Sequence, residues 1–134
     1  MILVDSSAFI EYYRPSGNPA VRAEVAAAVA ADRVAVNGII QTELLAFASR
    51  PVDFEALAGD FRAFHWLELR RTEFDLAADL GFGLRQKGVT VPATDLVIAA
   101  SAIGAGATLY HLDEHFERIA EHGELATRDL RASI

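Results

Sequence analysis

Apolar residues in this chain fall into short solid blocks separated by longer, helically spaced stretches, and the two kinds alternate along its length. Ile2-Leu3-Val4 is apolar at every position and runs into polar Asp5-Ser6-Ser7, the pattern of a strand buried on both faces that feeds a serine-capped helix over Ala8 to Tyr13. Pro15-Ser16-Gly17 marks a turn. Asn18 and Pro19 then form a cap and first-position pair, opening an alanine-rich helix to about Ala31 in which Val21, Val25 and Val29 make one apolar stripe. Arg33 to Val36 reads as a second short strand, followed by a helix through about Ser49 that carries Glu43 and that Pro51 stops.

The alternation continues. A helix from about Asp53 to Ala63 leads to a third strand over Trp66 to Leu69. Thr72 with Asp75 three residues later resembles a capping box for a helix running to Lys87, where Gly88 supplies a left-handed stop. Beyond Pro92, Thr94 caps a helix from Asp95 to Ile103. Gly104 to Gly106 turns the chain into a fourth strand, Ala107 to Leu112, and Asp113 caps a last helix to about Glu121. Short buried strands alternating with amphipathic helices predict an α/β fold with a short, mainly parallel central sheet.

Composition narrows the function classes. At 134 residues, 52% hydrophobic and 23% charged, the chain is sized for a single domain over residues 1–134 and carries enough apolar surface to fold. The absence of cysteine closes the disulfide, thiolate-metal and cysteine-nucleophile classes. Met1 leads directly into Ile2-Leu3-Val4-Asp5 with no basic leader, and the longest apolar run, Leu96 to Tyr110, is shorter than a membrane span and interrupted by Gly104 and Gly106. Cytoplasmic residence without a membrane partner is the resulting expectation.

Four acids sit where ordinary surface residues are uncommon: Asp5 and Asp113 at strand ends, Asp95 at a helix start, and Glu43 between Ile39-Ile40 and Leu44-Leu45. In a parallel sheet the carboxyl ends of the strands share one edge, so Asp5 and Asp113 can converge there, joined by Asp95 and by Glu43 if its helix leans over the crevice. Crowded carboxylates raise one another's pKa unless a divalent cation relieves them, and oxygen ligands favour Mg²⁺ or Mn²⁺. Such ions act on phosphodiesters, activating water and stabilising the leaving oxygen. The plainer reading is that Asp5, Asp95 and Asp113 are helix N-caps and that Glu43 points outward.

The residues around these acids bear a resemblance. Val4-Asp5-Ser6-Ser7-Ala8-Phe9, Glu43-Leu44-Leu45, Pro92-Ala93-Thr94-Asp95-Leu96-Val97-Ile98-Ala99-Ala100 and Ala107-Thr108-Leu109-Tyr110-His111-Leu112-Asp113-Glu114-His115-Phe116 resemble, in order and spacing over nearly the whole chain, the PIN-domain ribonucleases and among them the VapC-type toxins of bacterial toxin–antitoxin pairs. The resemblance implies a Rossmann-like three-layer α/β/α sandwich and Mg²⁺- or Mn²⁺-dependent endoribonuclease activity. It also implies a homodimer, a cognate antitoxin and a possible higher toxin–antitoxin assembly. It makes Asp5, Glu43, Asp95 and Asp113 the catalytic and metal-binding set, with Ser6 and Thr94 in support. The family usually places Thr or Ser two residues before the last acid, whereas this chain has His111, an imidazole that could bond a phosphate or a carboxylate instead.

Other residues leave alternatives open. His111 and His115 flank Asp113 and invite a zinc reading, but the strand-to-helix break between them spoils a shared face, leaving His115 as an exposed helix residue. His65 and His122 have no partner pattern. Arg14, Arg50, Arg85 and Lys87 are the cations expected nearest the acidic edge, where they would contact RNA; solvated surface charge is the competing role. Phe61, Phe64, Trp66, Phe74 and Phe82 suit a core or dimer interface better than base stacking. A DNA- or structure-specific nuclease outside a toxin system and a non-catalytic PIN-like binding domain are the rival functions. A receiver-type signalling domain is disfavoured, because Ser6-Ser7 follow Asp5 where a second acid is needed and Lys87 is the single lysine. The net charge of −7 excludes a protein that coats nucleic acid non-specifically. Four of those charges belong to the proposed site, so the remainder of the surface is only mildly acidic, and RNA should bind weakly unless metal is present.

Overall fold

A computed structural model describes residues 1–134. Five strands form one sheet: β1 (Ile2–Val4), β2 (Val34–Val36), β3 (His65–Trp66), β4 (Thr108–His111) and β5 (Thr127–Asp129), in the order β3-β2-β1-β4-β5. Every pairing is parallel, with Leu3 opposite both Ala35 and Leu109. β1 and β2 are buried at every position, as strands covered on both faces require. Seven helices connect them: α1 (Ser6–Tyr13), α2 (Pro19–Ala30), α3 (Gly38–Leu45), α4 (Pro51–Ala63), α5 (Arg71–Gln86), α6 (Ala93–Ala105) and α7 (Glu114–Glu121). A short 3-10 turn, Leu130–Ser133, ends the chain.

Chain direction decides which helix covers which face. α1 to α4 belong to the connections that step outward from β1 through β2 to β3, and α5 to α7 to those that return to β4 and continue to β5. Right-handed crossovers therefore put the two groups on opposite faces. Packing agrees: α1 contacts α2 and α3, α3 contacts α4, and α6 contacts α5 and α7. The core between the layers is aliphatic around β1, β2 and β4, with Phe9 and Phe61 in ring contact at 5.1 Å on one side and Phe116 buried on the other.

Asn18 caps α2 through hydrogen bonds from the Ala20 and Val21 amides, as its position before Pro19 predicts. Gly106, at φ +62°, ends α6 in the left-handed conformation that glycine adopts without strain. Several boundaries differ from the sequence reading. α1 is capped by Asp5 rather than a serine and begins at Ser6. α3 ends at Leu45 instead of Ser49, and Pro51 opens α4 at its first position, where a missing N–H costs nothing, rather than stopping α3. The reciprocating acid at the start of α5 is Glu73, which accepts from the Arg70 amide at 3.1 Å, not Asp75.

Thr94 lies inside the first turn of α6, after the cap position held by Pro92, and is exposed. The third strand is His65–Trp66 rather than Trp66 to Leu69, paired with Ala35 and Val36 at the sheet edge. β5 carries Thr127-Arg128-Asp129, too polar to read as a strand, and exists by pairing with β4.

Candidate active site

The order of strands creates the site. Connections leave β1 toward β2 on one side, and β4 occupies the other, so the helices after β1 and β4 diverge and open a crevice at the carboxyl ends of those two strands. Asp5 follows β1 and Asp113 follows β4, which places one carboxylate on each side of the crevice. The pairing of β1 with β4 continues one residue past the strand, the Asp5 amide donating to the Tyr110 carbonyl at 2.9 Å. Asp95 comes in on the first turn of α6.

Asp95, Asp113 and His115 each offer a ligand atom within 4.8 Å of the others. His115 Nδ1 stands 3.0 Å from Asp95 Oδ2 and 3.3 Å from Asp113 Oδ1. Asp5, only 6% exposed, adds a third carboxylate whose charge acts on Asp95. Burial pushes the Asp5 carboxyl above its ordinary range, although hydrogen bonds from Ser7 and the proximity of His111 pull the other way. Asp95 is raised as well, first by burial and then by Asp113 and Asp5, against the lowering contact with His115. No Lys or Arg pairs with Asp5, Glu43, Asp95 or Asp113. Oxygen donors, desolvated and short of positive charge, are the donor set that a hard divalent cation fits.

Glu43 joins through Ser6. The Ser6 hydroxyl donates to Glu43 Oε1 at 2.6 Å, tying α3 to the residue beside Asp5 and holding the Glu43 side chain half-buried at the crevice. Asn37 sets the start of α3 by accepting from the Ile40 amide at 3.0 Å. Ser6 thus positions a carboxylate beside Asp5.

Ser7 was invisible as a functional residue in the sequence, although a second hydroxyl directly after the acid was a usable signal. Its Oγ donates to Asp5 Oδ2 at 2.6 Å and accepts from the Leu112 amide at 3.1 Å, coupling Asp5 to the turn that carries Asp113. Ser7→Ala removes the bond to Asp5 and leaves the Leu112 amide without its partner. A loss of about 10–100-fold in Mn²⁺ affinity is expected, with Ser7→Thr retaining most of it, as measured by calorimetric titration.

The two histidines part at the strand end. Strand alternation turns His111 into the interior, where it is fully buried. The Asp113 amide donates to its Nδ1 at 3.0 Å, so its proton sits on Nε2 and is donated to Glu117 Oε2 at 2.7 Å. His111 therefore holds the backbone of Asp113 and bonds a carboxylate, that of Glu117, from inside the core. A zinc site shared by His111 and His115 is not formed. His115 in turn is no plain surface residue: Asp113 caps α7 by accepting from the His115 amide at 2.9 Å, and that cap brings the imidazole back over the acids.

The expected RNA-contacting cations are dispersed. Arg14 pairs with Glu11 and Arg50 with Asp53, and both line a groove of about 480 Å³ with Ile10, Leu44 and Phe47. Lys87 lines a separate cavity with Asp79, Ile119 and His122, while Arg85 lies in the last turn of α5. Of the aromatic residues, Phe61 is core and Phe64 packs against it, whereas Trp66, Phe74 and Phe82 are exposed.

A five-stranded parallel sheet with Asp95 and Asp113 gathered beside His115 at its switch point, and Asp5 following β1, is a nuclease class of fold. The chain belongs to the PIN-domain family, whose family model matches residues 2–122. It is 32% identical over 136 residues to Ribonuclease VapC11 of Mycobacterium tuberculosis, covering 98% of this chain and all of that one. Among solved structures, FitAcB from Neisseria gonorrhoeae superposes with a TM-score of 0.80 at 22% identity, covering 96% of this chain and 97% of the other. A toxin–antitoxin complex from Klebsiella pneumoniae gives 0.71 at 15% identity, with 85% and 88% covered.

Proposed function

We propose that this protein is a divalent-metal-dependent endoribonuclease acting as the toxin of a toxin–antitoxin pair, with residues 1–134 forming one PIN domain. The observation that carries the reading is the gathering of Asp95 and Asp113 with His115 within 4.8 Å, close enough to Asp5 for its charge to act on Asp95, with no Lys or Arg paired to the acids. Asp5, Asp95 and Asp113 would hold Mg²⁺ or Mn²⁺. The ion would supply an activated water and charge stabilisation at the scissile phosphate. Glu43, with Oε1 occupied by Ser6, keeps Oε2 free to orient the attacking water and accept its proton. The new bond would form between that water's oxygen and phosphorus as the bond from phosphorus to the ribose oxygen breaks, the leaving oxygen taking up a proton from solvent.

The toxin role draws on the ribonuclease relative and on the toxin–antitoxin complex that shares the fold. The groove bearing Ile10, Leu44 and Phe47 between Arg14 and Arg50 is suited to an antitoxin segment with apolar and acidic side chains. Phe74 and Phe82, exposed eight residues apart on α5, support a homodimer contact, which an antitoxin could extend into a larger assembly. No helix is long and apolar enough to cross a membrane, and a cytoplasmic site of action follows from an RNA target.

The test is cleavage of end-labelled single-stranded RNA and of DNA of the same sequence, with Mn²⁺, Mg²⁺ or EDTA. RNA should be cut only with an ion present and DNA should not. Equal cutting of DNA would favour a general nuclease, and binding without cutting in either ion would favour a non-catalytic domain.

A further inference from the structure

His115 is the one imidazole of the chain that faces the carboxylates, and the fold spends a specific device to put it there. Asp113 caps α7 through the His115 amide, at 2.9 Å, which sets the backbone at the second helical position so that the side chain folds back across the cap. Nδ1 then lies within 3.3 Å of an oxygen of both Asp95 and Asp113. Nδ1, aimed at both carboxylates, is the ring atom that could either donate to Asp95 or give its lone pair to a metal. Nε2 makes no hydrogen bond to the protein, and the side chain is 32% exposed, so the ring can keep its proton on Nε2, in water, while Nδ1 is bare. The other three imidazoles are elsewhere: His111 is tied to Glu117 and to the Asp113 amide, His65 contacts Asp32, and His122 lies at the far end of α7.

We infer that His115 is a nitrogen ligand to the catalytic ion, turning an all-carboxylate site into a mixed oxygen and imidazole site that selects Mn²⁺ and similar transition ions over Mg²⁺. The inference rests on the metal-dependent reading above and goes beyond it. Imidazole suits borderline transition ions, whereas Mg²⁺ demands oxygen donors and dehydrates reluctantly. A ligand set of Asp5, Asp95, Asp113 and His115 therefore gains more for Mn²⁺ than for Mg²⁺. Removing the nitrogen should narrow the gap between the two ions rather than weaken both alike.

Pulsed EPR on the full chain loaded with Mn²⁺ alone tests this directly. The wild type should show ¹⁴N modulation from a coordinated imidazole, converted to the ¹⁵N pattern in protein grown with ¹⁵N-histidine, and H115Q should bind Mn²⁺ without it. Competition titration should show the Mn²⁺ to Mg²⁺ affinity ratio falling by on the order of tenfold in H115Q. Stoichiometric Mn²⁺ binding by the wild type with no nitrogen modulation would overturn the inference and leave the metal-dependent reading intact. Absence of any Mn²⁺ binding would overturn both. The isotope experiment needs no variant, so a folding defect in H115Q does not blunt it.

Discussion

Asp95→Asn is expected to abolish RNA cleavage, by about 10³-fold or more, while leaving the fold in place. Asp95 lies at the centre of the cluster: it contacts His115 at 3.0 Å and feels the charges of both Asp113 and Asp5. Asparagine has the same shape and can still accept from His115, but it carries no charge for a cation and is a poorer oxygen donor. Its position in the first turn of α6 is not a cap, since Pro92 holds that place, so helix formation does not depend on the carboxylate. Circular dichroism should be unchanged. Full retention of Mn²⁺-dependent cleavage would remove the four acids as the site of chemistry.

The second large effect is on stability. Added Mn²⁺ should raise the thermal midpoint of the wild type, because an ion that binds only the folded state contributes about 2.7 kcal/mol at a hundred times its dissociation constant, roughly 5–11 °C for a domain of this size. Asp5→Asn should do two opposite things. Burial raises the Asp5 carboxyl above its unfolded value, so the folded state holds its proton more tightly than the unfolded chain does. Stability of the metal-free protein therefore falls as pH rises from the ordinary carboxylate range through the raised value, and at neutral pH the ionised group is a full liability. Asparagine removes that liability and still accepts the Ser7 bonds, so the metal-free midpoint should rise by a few degrees while the response to Mn²⁺ disappears. Scanning calorimetry of both proteins with and without Mn²⁺ measures each arm. A wild-type midpoint indifferent to millimolar Mn²⁺, or an Asp5→Asn protein that still responds, would contradict the assignment.

Apolar patterning carried most of the architecture. Ile2-Leu3-Val4 and Leu109 could be placed in a buried parallel sheet because unbroken apolar blocks have no other stable environment, and Asn18-Pro19 and Gly106 mark helix ends by chemistry confined to a few residues. β5 was not legible, since Thr127-Arg128-Asp129 becomes a strand only through the hydrogen bonds that β4 offers it. The start of α4 was misread because proline reads equally as the end of one helix and the beginning of the next, and which it is depends on where the chain must go afterwards.

The acids divide in the same manner. Their identity, order and attachment to strand ends are properties of the sequence, and they point to a cation because carboxylates that share an edge must be neutralised. Which residues complete the site is a tertiary property. The Ser6 hydroxyl at the start of α1 meets Glu43 on α3, 37 positions along the chain, and Ser7 reaches the amide of Leu112 just past the neighbouring strand β4. His111 and His115 are four positions apart, and the strand that ends at the first sends it into the core while the cap that follows folds the second over Asp95 and Asp113. The sequence by itself determined a parallel α/β chain with carboxylates at its strand ends. Only packing of α1, α3, α6 and α7 around the switch point decided that an imidazole stands among them, because a side chain's direction at a helix start is set by its cap and by what the helix lies against.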